Sequence, residues 1–98
     1  MSLNKFMSVV DFAAKQHSLD IIDLMVLNDI AVNGKGTIMK ILDRPILFAN
    51  ATRHEHIKKL CKRGLLDKSE MDGDMRFKVI LLSEKGAAIL KELEERLA

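Results

Sequence analysis

The sequence has few of the features that mark secreted or membrane-spanning proteins. It holds a single cysteine among 98 residues, which excludes an internal disulfide and fits a reducing compartment. No hydrophobic run approaches the roughly 18 residues that a transmembrane helix needs, and the N-terminus lacks a signal-peptide pattern. We therefore expect a cytoplasmic protein that makes no contact with a membrane.

Catalytic and metal-binding motifs are also missing. The sequence contains no Ser-His-Asp arrangement, phosphate-binding glycine loop or zinc-protease motif. A chain of this length has room for one modest core, but not for a deep catalytic cleft together with a cofactor fold. His54, His56 and Cys61 could suggest a metal site, but the two histidines diverge on a helix and no third ligand has suitable spacing. We predict no enzyme activity, no cofactor and no metal.

What the sequence does contain is an uneven distribution of charge. Hydrophobic residues make up 48% of the chain and charged residues 31%, as in a single globular domain over residues 1–98. Residues 35–64 hold eight Lys and Arg against Asp43 and Glu55, a local charge of +6, while the segments before and after each sum to −2. Such a concentration is typical of a phosphate-facing surface. A solvated helix face is the simpler alternative.

Two amphipathic helices are predicted in the N-terminal part. Ser2 is the expected cap of the first, which ends near His17 and turns inward Leu3, Phe6, Val10 and Ala13. Ser18 is the expected cap of the second, which stops at Asn33-Gly34. Its predicted buried stripe consists of Leu19, Ile22, Met25, Val26 and Ile30.

A helix-turn-helix is predicted over about residues 37–64. Its first helix is the apolar segment from Thr37 to Leu42, and Pro45 lies in the turn. Asn50 is the expected N-cap of the second helix, which ends at Gly64. The inward positions of that helix are Ile57, Leu60 and Cys61, and its other face carries most of the basic residues.

A hairpin and a final helix follow, over about residues 65–82 and 84–97. The run Met71-Asp72-Gly73-Asp74 supplies a tight turn, since Asp-Gly tolerates positive φ. In the return strand Phe77, Val79 and Leu81 alternate with Arg76, Lys78 and Ile80, as expected for a strand with one face on the core. Ser83 is the expected cap of the last helix.

These motifs resemble the MarR-type transcriptional regulators. Asp74-x-Arg76 followed by Leu82-Ser83-Glu84-Lys85-Gly86 is similar to the wing and post-wing signature of that family, and Leu60-x-x-x-Gly64-Leu65-Leu66 is similar to the end of its recognition helix. The resemblance implies an α+β, mainly α, winged helix-turn-helix with a two-strand wing and additional N- and C-terminal helices. Arg53 and His56 depart from it, because they stand where the resemblance predicts apolar residues.

The resemblance also implies a function in sequence-specific binding of double-stranded DNA. The second helix of the helix-turn-helix would enter the major groove, with its N-terminal residues at base edges and later ones at phosphates. Arg76 would enter the minor groove, held by Asp74. The candidate DNA-binding residues are Thr37, Asn50, Ala51, His54, Glu55, Lys58, Lys59, Lys62, Asp74, Arg76 and Lys78.

Assembly and alternative partners follow from the remaining features. The resemblance implies a homodimer formed through the terminal helices, and their shortness argues against a pocket for a small-molecule effector. The acidic hairpin tip, with Glu70, Asp72 and Asp74, leaves open a winged helix that contacts a polymerase subunit or another regulator, and weak nonspecific nucleic-acid binding is a third alternative. Cys61 is either a redox sensor or an inert buried thiol, and its helical phase beside Ile57 favours the latter.

Overall fold

The computed structural model describes residues 2–42, 50–71 and 74–98. Within them the chain forms, in order, α1 (Leu3–His17), α2 (Ile21–Asn33), β1 (Gly36–Thr37), α3 (Ile38–Leu42), α4 (Asn50–Lys62), β2 (Leu66–Met71), β3 (Asp74–Leu82) and α5 (Glu84–Leu97). This order confirms the predicted mainly α winged helix-turn-helix. The predicted turns at Pro45 and at Asp72-Gly73 lie outside the described residues.

The sheet contains one strand more than the predicted wing. The wing itself is the antiparallel pair of β2 and β3, in which Leu66 lies opposite Leu82. β1 pairs with the other edge of β3, so that Thr37 lies opposite Val79 and the strand order is β1-β3-β2. The prediction that Thr37 begins a helix was therefore wrong, and α3 begins at Ile38. A two-residue strand is too short to show the alternation by which strands are recognised in a sequence.

The junction between α1 and α2 differs from the sequence prediction. Ser18 ends α1 in a left-handed conformation with φ of 53°, and does not start α2. The N-cap of α2 is Asp20, which accepts a hydrogen bond from the N–H of Asp23 at 2.8 Å. The Asp23 side chain accepts one from the N–H of Asp20 at 3.0 Å, which completes a capping box. Serine and aspartate are both favoured N-cap residues, so their types alone do not show which of the two begins the helix.

The core lies where α2, α4 and the sheet meet. The residues buried in it differ from those predicted to face inward on α1 and α2. On α1, Val9 and Ala13 are buried as a pair, whereas Leu3 is 75% exposed and Phe6 is 38% exposed. The predicted α1 stripe was therefore wrong in its N-terminal half, since α1 packs mainly against α5. On α2, Leu27 is fully buried although the predicted stripe omitted it. α2 packs against α4, α5 and β3 and so is covered on several sides.

The buried face of the strand β3 is the face that carries Ile80. Ile80 is fully buried, while Val79 and Leu81 on either side of it are half-buried. The core face therefore belongs to the phase of Ile80, and the neighbouring phase is only partly covered.

The corner between β3 and α5 explains the spacing of the Leu-Ser-x-x-Gly motif. The Ser83 hydroxyl accepts the N–H of Gly86 at 3.0 Å as the helix cap, and donates to the carbonyl of Gly64 at 2.6 Å. A Cβ atom at Gly86 would lie 2.2 Å from the Leu65 carbonyl oxygen. Gly64 itself has φ of 79° and ends α4, as glycine commonly ends helices. The motif thus fixes the start of α5 against the end of α4.

Candidate nucleic-acid interface

The basic helix α4 has two basic faces rather than one. Its apolar stripe, with Ile57 and Leu60, is fully buried against the core. Beside this stripe, Arg53, His56 and the still exposed Lys59 bind other parts of the protein, and so does Arg63 just after the end of α4. The opposite side carries exposed Ala51, Glu55, Lys58 and Lys62, with His54 half-exposed. The local charge of +6 in this region therefore does not all face solvent.

Arg53 of α4 forms hydrogen bonds with the carbonyl groups at the end of α3. Its side chain is 3% exposed, and its guanidinium donates to the carbonyl oxygens of Ile41 at 3.3 Å and Leu42 at 2.7 Å. The last carbonyls of a helix lack partners within that helix, so a cation here satisfies them and interacts favourably with the helix dipole. Arg53 departs from the family resemblance because it replaces apolar packing with hydrogen bonds between α3 and α4.

His56 and Lys59 meet a buried carboxylate on α2. Nδ1 of His56 lies 2.6 Å from Oδ1 of Asp23, and Nζ of Lys59 lies 2.9 Å from Oδ2 of the same residue. Asp23 is fully buried. Burial by itself would raise the pKa of the Asp23 carboxyl, but the hydrogen bonds that it accepts, led by the bond from Lys59, hold the pKa below its ordinary value of 3.8. Asp23 is therefore a charged carboxylate that joins α2 to α4.

Arg63 fixes the far end of α4 to the end of α1. Its guanidinium donates to the carbonyl of Ser18 at 3.0 Å and to the carbonyl of His17. His17 in turn lies 2.9 Å from Glu92 on α5. The orientation of α4 is thus set at three points along its length, by α3, by the start of α2 and by the end of α1.

The exposed basic side of α4 borders a surface groove of about 520 Å³ that continues onto the wing strand β2. Lys58, Lys59 and Lys62 line it from α4, and Lys68 lines it from β2. Lys58 also lies 3.6 Å from Glu55, its neighbour one turn earlier. Sequence reasoning did not include Lys68 among the candidates. The available signal was a lysine four residues after Gly64, early in the strand predicted to follow it.

The structure brings together some of the predicted site residues. Ala51, His54, Glu55, Lys58, Lys59 and Lys62 share α4, with Lys59 bonded to Asp23 as described. Asn50 is the first residue of α4, and Asp74 and Arg76 lie at the start of β3. The side chains of Thr37, Asn50, Asp74, Arg76 and Lys78 are outside the described residues, so their roles stay predictions.

Cys61 and the acidic groups near α4 bear on redox and metal chemistry. Cys61 is half-buried beside the lysine-lined groove, and burial raises the pKa of its thiol, which favours the inert thiol over the sensor. Asp20, Asp23 and His56 place one ligand atom each within 4.8 Å of one another. Sequence reasoning had considered His56, but together with His54 and Cys61 and without the aspartates. Oδ1 of Asp20 and Oδ2 of Asp23 are already engaged by the capping box, and Oδ2 of Asp23 also by Lys59.

A second groove lies between the terminal helices. Its volume is about 260 Å³, and apolar side chains of α1, α2 and α5, including Val9, Leu24 and Leu90, line it. Pockets for drug-sized molecules usually have volumes of roughly 300 Å³ or more. Among residues 2–42, 50–71 and 74–98, no helix has the length and apolar character needed to cross a bilayer.

Comparison with solved structures identifies the fold. An organohalide-sensing transcriptional regulator with bound 2,4-dichlorophenol is similar at a TM-score of 0.73 and 19% identity, over 92% of this chain and 55% of that chain. A transcriptional regulator from Thermotoga maritima is similar at a TM-score of 0.69 and 18% identity, over 93% of this chain and 66% of that one. A MarR family transcriptional regulator from Silicibacter pomeroyi is similar at a TM-score of 0.67 and 23% identity, over 85% and 55%.

These similarities cover most of this chain but only part of the other proteins. The chain spans 55% to 66% of the length of the three regulators. No protein-family model matches the sequence, and no curated protein matches it. At sequence identities of 18% to 23%, the similarity to these structures is a similarity of fold. The chain has the winged helix-turn-helix fold of MarR family transcriptional regulators.

Proposed function

We propose that the protein is a transcriptional regulator that binds double-stranded DNA in a sequence-specific manner. The observation that carries the proposal is the groove between α4 and β2, where Lys58, Lys62 and Lys68 converge from two elements. Lysines that meet on one surface release condensed counterions when they bind phosphates, and this supplies affinity for DNA. The fold shared with regulators supports the same proposal.

In this proposal α4 enters the major groove. Ala51 and His54 near its N-terminal end are the base-reading positions, since their side chains are short enough for the helix to approach base edges closely. Lys58 and Lys62, one and two turns later, bind phosphates together with Lys68 on β2. Glu55 and Lys59 line the same groove and remain candidates, as do Asn50 and Thr37.

The wing is proposed to contact the minor groove. Arg76 would enter it, Asp74 would orient Arg76, and Lys78 would lie near the backbone. We expect Arg76→Ala to weaken duplex binding without unfolding the protein. We also expect Asp74→Ala to weaken binding, although this change removes a negative charge that repels DNA. Tighter binding by Asp74→Ala, with no effect of Arg76→Ala, would contradict the minor-groove role.

A homodimer would present two copies of α4 to a two-fold symmetric site. The proposed contact surface is formed by α1 and α5, which pack together at one side of the domain. The 260 Å³ groove lies beside them and is also lined by α2.

The second candidate function is a winged helix that contacts a polymerase subunit or another regulator. It is favoured by the acidic residues Glu70, Asp72 and Asp74 around the wing turn, which would repel phosphates if left unpaired.

Selection of binding sites from random duplexes, at two salt concentrations, separates the candidates. An enriched motif at both concentrations supports the sequence-specific regulator. Binding that is strong at low salt but enriches no motif identifies nonspecific nucleic-acid binding. Absence of duplex binding at both concentrations overturns the first proposal and favours the protein-contact function.

A further inference from the structure

Lys59 differs from its neighbours on α4 because its partner is a buried anion. Nζ of Lys59 lies 2.9 Å from a carboxylate oxygen of Asp23, which is fully buried, while the Lys59 side chain is itself 44% exposed and lines the same groove as Lys58 and Lys62. Lys58, by contrast, lies 3.6 Å from the exposed Glu55, and such surface pairs contribute little. If a DNA phosphate drew Lys59 away, it would leave Asp23 with a less compensated buried charge, which is costly.

We propose that Asp23 is a specificity-determining residue that keeps Lys59 out of the phosphate contacts made by α4. The inference rests on the proposed function in DNA binding and deepens it. A phosphate contact adds affinity for every sequence equally, whereas base-edge contacts add it for one. If one cation fewer contacts the phosphates, recognition of the bases therefore contributes a larger share of the binding free energy.

Asp23 is suited to this role because several hydrogen bonds fix its position. It caps the first turn of α2 through the N–H of Asp20 at 3.0 Å, and its other oxygen lies 2.6 Å from the imidazole of His56. The carboxylate therefore cannot follow Lys59 towards the surface without breaking the start of α2. Asp23 would act on DNA only through Lys59 and is a positioning residue.

The dependence of duplex binding on salt concentration tests the inference. Lys62→Met and Lys59→Met each remove one ammonium group and keep the apolar stem, and Lys62 is the matched control. The logarithm of the binding constant falls with the logarithm of salt concentration, with a slope of roughly 0.9 for each phosphate neutralised. We expect Lys62→Met to reduce that slope by about 0.9 and Lys59→Met to leave it unchanged.

Asp23→Asn gives the complementary result. Release of Lys59 should steepen the slope by about 0.9 on a random-sequence duplex and reduce the preference for the selected duplex. The double variant Asp23→Asn/Lys59→Met should restore the wild-type slope. A steeper slope that persists in the double variant would overturn the inference, because something other than Lys59 would then make the new contact. If circular dichroism shows that Asp23→Asn or Lys59→Met is unfolded, the double variant, which removes both charges, is compared with Lys62→Met instead.

The outcomes also separate this inference from the proposed function. A wild-type protein that binds neither the selected nor the random duplex overturns the proposed function and this inference with it. A wild-type protein that binds duplex, but whose Lys59→Met and Lys62→Met variants lose equal slope, overturns only the inference. In that case Lys59 leaves Asp23 for a phosphate, and Asp23 does not limit the backbone contacts.

Discussion

At the scale of single residues, the charge on Asp23 makes stability depend on pH. The pKa of Asp23 lies below 3.8 in the folded state, so the unfolded chain binds a proton more readily in acid. The stabilisation is complete above the ordinary pKa and is lost as the pH falls through the folded value. We expect the free energy of unfolding to decrease below about pH 4, and Asp23→Asn to weaken that dependence. Urea denaturation at a series of pH values measures both.

The matched control for this pH dependence is Asp11→Asn. Asp11 is exposed and forms an i,i+4 pair with Lys15 at 2.9 Å. Its substitution should leave the pH dependence of the free energy of unfolding as in the wild type. If Asp23→Asn and Asp11→Asn behave alike, the acid sensitivity arises from general charge repulsion and not from the buried carboxylate.

Gly86 gives a second prediction at this scale, and its sign is unusual. Glycine-to-alanine changes inside helices normally stabilise by up to about 1 kcal/mol. At Gly86 the new Cβ would lie 2.2 Å from the Leu65 carbonyl oxygen, so the start of α5 must shift. We expect Gly86→Ala to destabilise by about 1 to 3 kcal/mol. Chemical denaturation tests this, with Ala87→Gly on the exposed side as the control, and a stabilised Gly86→Ala protein would contradict the close contact.

The sequence predicted the role of a residue well where that role depends on its neighbours in the chain. It predicted the role poorly where the residue binds a group that is distant in the sequence. The Ser2 and Ser83 caps, the Gly64 stop and the buried Leu60 follow from local patterns, and the structure confirms them. The buried position of Arg53 and the ion pair of the exposed Lys59 depend on carbonyls of α3 and on a carboxylate of α2. No periodicity in α4 reveals those partners, because a helical wheel treats every lysine and arginine as a surface residue.

At the scale of elements, the proposed DNA binding divides α4 along its length into a reading end and a phosphate end. His54 lies near its start and Lys58 one turn later. We expect His54→Ala to change which bases are selected while leaving the salt slope as in the wild type. Lys58→Ala should keep the selected motif and lower the slope by about 0.9. Binding-site selection and salt titration of both variants measure the two effects, and a changed motif in Lys58→Ala would contradict the division.

The lengths of elements determined which of them the sequence revealed. The long helices α1, α4 and α5 and the wing hairpin have clear periodicity and clear ends, and their predicted positions agree with the structure to within a few residues. The sequence pattern did not distinguish β1 from the short α3, because both lie within the seven residues from Gly36 to Leu42. Tertiary pairing with β3, not local propensity, divides them.

At the scale of the whole molecule, the N-terminal half of α1 leaves apolar side chains in solvent. Leu3 is 75% exposed and Met7 is 56% exposed, one turn apart on the same helix. We expect the protein to dimerise through this surface and Leu3→Ser/Met7→Ser to shift it towards monomer without lowering its stability as a monomer. Sedimentation at several concentrations measures the equilibrium. Asn4→Ser is the control, and a double variant that dimerises like the wild type would locate the interface elsewhere.

The pairing of β1 with β3 has a consequence for the order of folding. Gly36 meets Ile80, so that α3, α4 and β2 all lie inside one closed loop of chain. Contacts between residues this far apart in sequence form slowly, because closing a long loop costs entropy before the contact returns any stability. The hairpin of β2 and β3 and the individual helices are local and form early. We therefore expect the helix-turn-helix to acquire its fixed geometry late, in the same step that joins β1 to the sheet.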